Sequence, residues 1–223
     1  MKIVFLIISG ADEKVTFCCK ELYEQFKILS RMYYSKMSQI YDFRYYFMEY
    51  NENIENEILE KDDFIYLKGN EVFEKIYEKT QRCIQYITDK YDYDYIVRTN
   101  LSSFWNIPNL FKLNIPLNNC LTGYLMFDRF ISGTGIIMSR DVCKYLCCQP
   151  YIDGPDDCVI TNQIQNYCSV TPITDFKLGW LIDCKNNIPD NIDDILYFRI
   201  RNEDDRTNDI ICFKLLLNKI YNL

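Results

Sequence analysis

Short apolar runs alternate with longer amphipathic stretches through the first half of the chain. Residues 2–9 are rich in Ile and Val and predict a buried strand, and similar runs predict strands at residues 43–49, 64–67 and 95–98. Apolar residues spaced three and four apart predict a helix at about residues 14–38 and a second helix, of about 17 residues, that begins at Gly69. Residues 51–61 are polar and predict a connection. Strands that alternate with helices indicate right-handed βαβ units and a mostly parallel sheet.

The second half of the chain has a less regular pattern. Residues 104–117 contain two prolines and predict a loop with one short helix, whereas residues 123–127 and 130–138 predict two antiparallel strands. Ser139 is expected to cap a helix at about residues 140–148, and Pro155 to begin another that runs to about residue 167. A strand at residues 195–200 and an amphipathic helix at residues 208–221 follow. A chain of 223 residues with no linker fits one α/β domain, residues 1–223.

Composition excludes several classes of chemistry. The chain has 0 His, so Ser-His-Asp catalysis, Cys-His catalysis and imidazole metal ligands are all ruled out. A net charge of −7 argues against a nucleic-acid partner, because binding to a phosphate backbone depends on Lys and Arg.

The cysteines and the N-terminal run bear on location. The 11 cysteines form no CxxC pair, and Cys143, Cys147 and Cys148 are spaced like one turn of a helix, so free packed thiols are expected rather than a zinc site. The apolar run at residues 3–8 is too short to cross a membrane, and no cleavage site follows it. We expect no integral membrane segment and a reducing, cytoplasmic location. The abundance of Ile, Asn, Lys and Tyr is typical of an AT-rich genome, such as that of a large DNA virus.

Three places in the predicted sheet qualify as a ligand site, because ligands of open α/β sheets bind beyond the carboxyl ends of the strands. They are residues 9–11 after the first strand, residues 99–103 after the fourth, and the turn at residues 154–157. The chain has neither GxGxxG nor GxxxxGK[ST], so a dinucleotide-binding or P-loop function is disfavoured.

Four segments resemble, in order, the Fringe and β-1,3-galactosyltransferase family. They are Lys-Asp-Asp-Phe-Ile at 61–65, the helix with Glu-Lys-Thr at 78–80 together with the strand at 95–99, Ser-Gly-Thr-Gly-Ile-Ile-Met-Ser-Arg-Asp at 132–141, and Pro-Asp-Asp at 155–157. The resemblance implies a single-domain glycosyltransferase A (Rossmann-like) α/β fold, with a mostly parallel central sheet flanked by helices. It also implies a nucleotide-sugar donor, with a UDP-sugar favoured over a GDP-sugar, and a glycan or glycoprotein acceptor. Residues 1–103 would form the donor-binding half and residues 104–223 the acceptor-binding and catalytic half.

The metal site of that family is altered in this chain. Family members carry Asp-x-Asp after the fourth strand and bind Mn²⁺ through it, but the two positions correspond here to Asn100 and Ser102. Neutral oxygens are poor ligands for a hard cation without carboxylates, and the family's C-terminal His ligand is absent as well. We therefore expect no metal cofactor, which implies either metal-free catalysis or an inactive scaffold. Asp92-Tyr93-Asp94 precedes its strand and is expected to be a solvated turn.

Two adjacent carboxylates are candidates for a general base. The resemblance gives this role to the second acidic residue of the Pro-Asp-Asp turn, so Asp157 is the first choice and Asp156 the second. A simpler alternative is that both carboxylates stabilise the helix dipole.

Candidate donor-binding residues lie near the strand ends and at the C-terminus. Arg199, Arg201 and Arg206 are expected to neutralise the diphosphate in place of a metal, because guanidinium groups bind phosphate bidentately. The alternative is that they pair at the surface with Glu203, Asp204 and Asp205. The other candidates for contact with the donor are Ser9, Gly10, Lys79, Arg98, Thr99, Asn100 and Ser102.

For the acceptor, the resemblance points to Gly133, Thr134 and Gly135, and Trp105 is a candidate for stacking on a sugar ring, with burial in the core as its alternative. The sequence thus predicts an inverting glycosyltransferase that is independent of metal. The alternative is a non-catalytic nucleotide- or carbohydrate-binding protein on the same scaffold.

Overall fold

A mixed eight-stranded sheet forms the centre of the structure. The computed structural model describes residues 1–10, 20–181, 188, 191–202 and 205–223. The strand order across the large sheet is β3-β4-β2-β1-β5-β8-β7-β9, and a second sheet has the order β10-β11-β6. The strands are β1 (Ile3–Ile8), β2 (Phe43–Tyr50), β3 (Ile58–Lys61), β4 (Phe64–Leu67), β5 (Tyr95–Asn100), β6 (Ser103–Trp105), β7 (Leu121–Met126), β8 (Phe130–Ser139), β9 (Val170–Pro172), β10 (Lys177–Leu181) and β11 (Ile195–Ile200).

Parallel pairing brings four strand ends to one edge of the large sheet. Strand β1 pairs in parallel with β2 on one side and with β5 on the other, and β2 pairs in parallel with β4. All six residues of β1 are buried, as expected for an Ile- and Val-rich strand covered on both faces. Strand β8 runs antiparallel to β5, so its first residues lie beside the end of β5, with Gly135 opposite Thr99.

Helices cover both faces of the large sheet. They are α1 (Lys20–Met37), α2 (Ile76–Lys90), α3 (Ile107–Leu110), α4 (Arg140–Cys147), α5 (Asp156–Ile164) and α6 (Thr207–Leu216), with 3-10 turns at Phe73–Lys75 and Ile192–Asp194 and a π-helical turn at Leu217–Tyr221.

Alternate residues of β1 point into two separate cores, one on each face of the sheet. Ile3, Phe5 and Ile7 pack in the core that also contains residues of α1, β6, β11 and α6. Val4, Leu6 and Ile8 pack in the core that also contains residues of α2, α4 and α5. We call these the α1 face and the α2 face. The small sheet therefore lies on the α1 face, and the turn that begins α5 lies on the α2 face.

The structure agrees with most of the predicted elements and corrects several of them. Residues 51–61 are not only a connection, because Ile58–Lys61 forms β3, antiparallel to β4. Residues 104–117 are not only a loop with a helix, because Ser103–Trp105 forms β6, antiparallel to β11. Both strands are short. Strand β6 exists through β11, a partner distant in sequence that local periodicity does not show, whereas β3 forms a hairpin with β4 across a two-residue turn at Asp62 and Asp63.

Some predicted helix boundaries are also corrected. The second helix begins at Ile76 rather than Gly69, after a 3-10 turn, and α5 ends at Ile164 rather than about residue 167. The predicted first helix is described only from Lys20, since residues 11–19 lie outside the described residues. The hydroxyl of Ser139 bonds the carboxylate of Asp141 and the backbone of Cys120 instead of capping α4.

The described cysteines are all free thiols. Asp92 lies in an exposed turn, where it pairs with Lys2 and Arg140. None of the described helices combines the length and the apolar character needed to cross a membrane.

Candidate functional site

A cleft of ≈ 520 Å³ opens where β1 and β5 end and β8 begins. Its lining comes from both faces of the large sheet. From the α2 face come residues 71–73 and the start of α5, and from the α1 face come three arginines at residues 199, 201 and 206. The structure therefore brings together two candidate sites that are far apart in sequence.

A buried ion pair forms the floor of this cleft. Arg98 is 2% exposed, and its Nε and Nη2 donate to Oδ2 and Oδ1 of Asp156 at 2.6 and 2.5 Å. The hydroxyl of Thr80 donates to the same carboxylate at 2.9 Å. Burial raises the pKa of Asp156, and the charge of Arg98 opposes that rise. Because Asp156 is 2% exposed and both of its oxygens pair with the guanidinium of Arg98, this carboxylate positions Arg98 and is poorly placed to take a proton from a ligand.

Gly133 connects this ion pair to the neighbouring carboxylate. Its carbonyl oxygen accepts a hydrogen bond from Nη1 of Arg98, and its backbone N–H donates to Oδ2 of Asp157 at 3.0 Å. A Cβ atom at this position would lie 2.8 Å from Nη1 of Arg98 and 3.1 Å from Oδ2 of Asp157. The close approach of these two side chains to the backbone explains why a glycine stands here.

Asp157 is half-buried and lines the cleft. Its Oδ1 accepts from the backbone N–H of Cys158 at 2.9 Å, in the first turn of α5. With the bond from Gly133, the two backbone N–H groups fix the orientation of the carboxylate. Each oxygen keeps a lone pair for a further hydrogen bond. Of the two predicted carboxylates, Asp157 is therefore the one whose geometry fits a general base.

Arg199 lies on the opposite side of the cleft, on β11. Its Nη1 donates to the hydroxyl of Ser102, and within the described residues no carboxylate lies at ion-pair distance from its guanidinium. Burial, together with the charges of Arg206 and Arg201, lowers the pKa of Arg199 to about 10. The carboxylate of Asp209, which pairs with Arg206, opposes this fall in the pKa only in part, so the potential around Arg199 is locally positive.

The other two arginines have different surroundings. Arg206 forms an ion pair with Asp209, which is fully buried and also accepts from the backbone and side chain of Asn202. Arg201 follows β11 and lines the cleft. Of the three predicted surface partners, Glu203 and Asp204 lie outside the described residues, and Asp205 accepts hydrogen bonds from the backbone and hydroxyl of Thr207.

Asn100 and Ser102, the two positions that the sequence resemblance matches to metal-binding carboxylates, both contact arginines. Oδ1 of Asn100 accepts from Nη1 of Arg98 at 3.0 Å, and the hydroxyl of Ser102 accepts from Arg199. Hard divalent cations require several anionic oxygens, and two guanidinium groups in these places repel a cation. In the described part of the chain, no cluster of three or more His, Cys, Asp or Glu side chains is arranged to hold a metal ion. Among the described residues, Asn100 and Ser102 with their arginine partners do not fit Mn²⁺.

Near the end of β1, Lys79 is buried and bonds Glu71 at 2.8 Å. The carboxylate of Glu71 covers Gly10, where a Cβ atom would lie 1.8 Å from Glu71 Oε1. Lys79 and Gly10 line the main cleft. Ser9 instead bonds Glu49 and lines an adjoining cavity of ≈ 560 Å³ that shares Gly10 and Glu71 with the cleft.

Three predicted contact residues lie in the core rather than in the cleft. Trp105 is 0% exposed and stacks on Tyr197, with its Nε1 donating to the hydroxyl of Thr99. Thr99 is also fully buried, and the backbone of Gly135 packs against Trp105 and Tyr197. As successive residues of a strand point to opposite faces, Thr99 turns to the α1 core while Arg98 turns to the cleft. Trp105 is therefore a core residue, which was the alternative to sugar stacking.

The remaining acceptor candidate, Thr134, lines the cleft beside Gly133, and its hydroxyl bonds that of Tyr197. Sequence reasoning missed Glu71 and Phe73, which also line the cleft. They follow the end of β4, so applying the strand-end rule to that strand would have indicated them.

The fold is similar to that of a solved glycosyltransferase. That protein is described as a glycosyltransferase involved in the glycosylation of the major capsid of PBCV-1. The similarity has a TM-score of 0.52 at 13% sequence identity, and covers 96% of this chain and 100% of the other. No family model matches the chain, and neither does any curated protein. The likeness confirms the predicted α/β glycosyltransferase fold, while the resemblance to the Fringe branch stays a prediction.

Proposed function

We propose that this protein is an inverting glycosyltransferase that transfers a sugar from a nucleoside diphosphate sugar to a hydroxyl group without a divalent metal. One observation carries the proposal. Asp157 on the α2 face and Arg199 on the α1 face line the same cleft. An inverting displacement needs a base on one side of the anomeric carbon and a stabilised leaving group on the other, and this arrangement supplies both.

In the proposed reaction, Asp157 accepts the proton of the acceptor hydroxyl as that oxygen attacks the anomeric carbon. The bond from this carbon to the diphosphate oxygen breaks, and its electron pair leaves with the nucleoside diphosphate. Asp157 later releases its proton to solvent. A positioned base contributes roughly 10²–10⁴-fold to the rate.

Arg199, with Arg201 and Arg206, would stabilise the negative charge that develops on the leaving diphosphate. Three features support this role: Arg199 donates to Ser102, it has no ion pair with a carboxylate of the described residues, and burial together with the charges of Arg206 and Arg201 lowers its pKa. A bound diphosphate would relieve the mutual repulsion of these cations. Guanidinium groups suit this task because they bind phosphate oxygens bidentately.

The adjoining cavity suits the nucleoside. It lies beyond the ends of β1 and β2 and shares Gly10 and Glu71 with the main cleft, so a ligand can extend from one into the other. Ser9, Glu49 and Lys27 line it, with Lys27 and Ser9 both bonded to Glu49. The resemblance in sequence favours uridine over guanosine.

The decisive experiment is incubation with a panel of UDP-sugars and GDP-sugars, with the release of free nucleotide measured in the presence and absence of acceptor glycosides. At least one donor should be turned over, faster with an acceptor. Release without acceptor would reflect transfer to water. Tight nucleotide binding by calorimetry without release from any donor would favour the non-catalytic binding protein. Absence of both binding and release would overturn the assignment.

A further inference from the structure

The carboxylate of Glu71 lies at the border between the main cleft and the adjoining cavity. Gly10 and Glu71 line both of these spaces, so a ligand that extends from one into the other passes over this pair. The side chain of Glu71 packs directly on Gly10, where a Cβ atom would lie 1.8 Å from Oε1 and 2.7 Å from Oε2. A glycine just after β1 therefore allows a carboxylate to lie against the strand end at this border.

Two donors hold Glu71 in place. The backbone N–H of Tyr50 donates to Oε1 at 2.7 Å, and the ammonium group of Lys79 donates to Oε1 at 3.1 Å and to Oε2 at 2.8 Å. Lys79 is 2% exposed, so its charge stays with this carboxylate. A side chain that is already ordered loses little conformational entropy when a ligand binds, which favours binding.

The hydrogen bonds of Glu71 leave room for a ligand. An ionised carboxylate accepts at about four lone-pair positions, two on each oxygen. The contacts with Tyr50 and Lys79 use both positions of Oε1 and one of Oε2. The side chain of Glu71 is 18% exposed. Oε2 therefore has the capacity to accept one more hydrogen bond, and the ligand group that makes it must be a donor.

The groups proposed to bind on either side of Glu71 narrow the identity of that donor. The diphosphate is proposed to bind near Arg199 in the main cleft, and the nucleoside in the adjoining cavity. The ribose joins these two parts of the ligand, and its hydroxyl groups are neutral hydrogen-bond donors. An ionised phosphate has no proton to donate, and the charge of the carboxylate repels it. A ribose hydroxyl is thus the group that suits this position.

We infer that Glu71 is a specificity-determining residue that accepts a hydrogen bond from the 2′ or the 3′ hydroxyl group of the donor's ribose. The inference rests on the proposed function. It adds the side chain that distinguishes a ribonucleotide from its deoxy analogues, which is a task separate from those of Asp157 and Arg199.

The test measures nucleotide binding to the full-length protein by titration calorimetry. The probes are UDP, 2′-deoxy-UDP and 3′-deoxy-UDP, with GDP and its two deoxy analogues as a second series. One of the two deoxy analogues should bind the wild-type protein about 10- to 150-fold more weakly than its parent, the range expected for a hydrogen bond to a charged group. The ratio of the two dissociation constants is the quantity compared between variants, because a general loosening of the site affects both constants alike.

Two variants should lower this ratio to different extents. Glu71→Gln should lower it several-fold, because a neutral amide oxygen accepts a weaker hydrogen bond than a carboxylate does. Glu71→Met combined with Lys79→Met accepts no such hydrogen bond and leaves no buried charge unpaired, so its ratio should approach one. Glu74→Gln is the matched control and should keep the wild-type ratio, since Glu74 is exposed and lines neither space.

Three results would overturn the inference. The first is equal affinity of the wild-type protein for the parent nucleotides and all their deoxy analogues, and the second is a wild-type ratio in the double variant. The third is a Glu71→Gln protein that loses affinity for UDP-sugars but not for UDP, which would assign the carboxylate to the transferred sugar. In each case the protein still binds nucleotides and the proposed function stands. If the wild-type protein binds neither UDP nor GDP, the proposed function fails and this inference fails with it.

Discussion

One side of the cleft carries three guanidinium groups from β11 and the segment after it, whereas the other side carries two neighbouring carboxylates and the apolar side chains of Val72, Ile76 and Pro155. The two sides differ because the arginines belong to segments on the α1 face of the large sheet, whereas the carboxylates belong to a segment on the α2 face. Both sets of side chains reach the cleft at the edge of the sheet.

The adjacent residues Asp156 and Asp157 also differ in their surroundings. Asp156 is 2% exposed and bonded to Arg98, while Asp157 is half-buried and held by backbone N–H groups. Adjacent residues of one type thus have different roles because their partners differ.

The sharpest test of this contrast is Asp157→Asn. The amide keeps the shape but accepts no proton, so kcat should fall by roughly 10²–10⁴-fold. Nucleotide affinity, which depends on the opposite side of the cleft, should stay within about twofold, well below the tenfold that 1.4 kcal/mol represents. Steady-state kinetics and calorimetry provide the two measurements. Asp153→Asn, in the exposed loop before Gly154, is the control. Near-wild-type turnover in Asp157→Asn would reject Asp157 as the base.

Asp156→Asn should lower the stability of the folded protein. Removing one partner of a buried ion pair leaves the other charge uncompensated and costs about 3–5 kcal/mol. Chemical denaturation should show this loss in the free energy of unfolding. Replacing both partners, with Arg98→Met and Asp156→Leu, should recover much of it. Asp92→Asn removes an exposed pair with Lys2 and should change stability little. An Asp156→Asn protein as stable as the wild type would show that the pair does not hold the floor of the cleft.

Arg199→Ala tests the cationic side. A charge-assisted hydrogen bond contributes about 1.5–3 kcal/mol, so affinity for the nucleoside diphosphate should fall by about 10- to 150-fold. Arg199→Lys should recover only part of it, because an ammonium group lacks the bidentate fork. Titration calorimetry with UDP and GDP measures both, and Arg129→Ala, at an exposed arginine outside the cleft, is the control. Equal affinity in Arg199→Ala and wild type would remove the arginine from the donor site.

The smallest effect is expected from chelation. If guanidinium groups supply the charge, EDTA should change the rate of nucleotide release by much less than about tenfold, the factor equivalent to 1.4 kcal/mol. Parallel assays with EDTA, and with Mn²⁺ added back, measure this. A loss beyond tenfold that Mn²⁺ restores would show that a metal acts in the reaction.

Local patterning predicted the long elements and several residues that line the cleft, but not the pairing within it. The continuous apolar run of β1 and the amphipathic spacing of α2 are strong local signals, and the rule that ligands bind at strand ends led to Asn100 and Asp157, which both line the cleft. The pairing of Arg98 with Asp156 joins residues 58 apart in sequence and has no local signal. Trp105 is a candidate for stacking on a sugar ring in the sequence because it follows a strand end. It is buried because it belongs to β6, a strand of three residues that exists only through β11.

The two backbone contacts of Gly133 have a consequence for engineering. Its carbonyl accepts from Arg98 and its N–H donates to Asp157, so the floor of the cleft and the proposed base are linked through two consecutive peptide groups that meet at the Cα atom of Gly133. A library that varies Arg98 or Asp156 to change donor choice would therefore also move the base, and variants would differ in their pH–rate profiles along with their specificity. If the nucleoside binds in the adjoining cavity as proposed, substitutions of the residues that line that cavity would change donor preference without disturbing the contacts of Gly133 with Arg98 and Asp157.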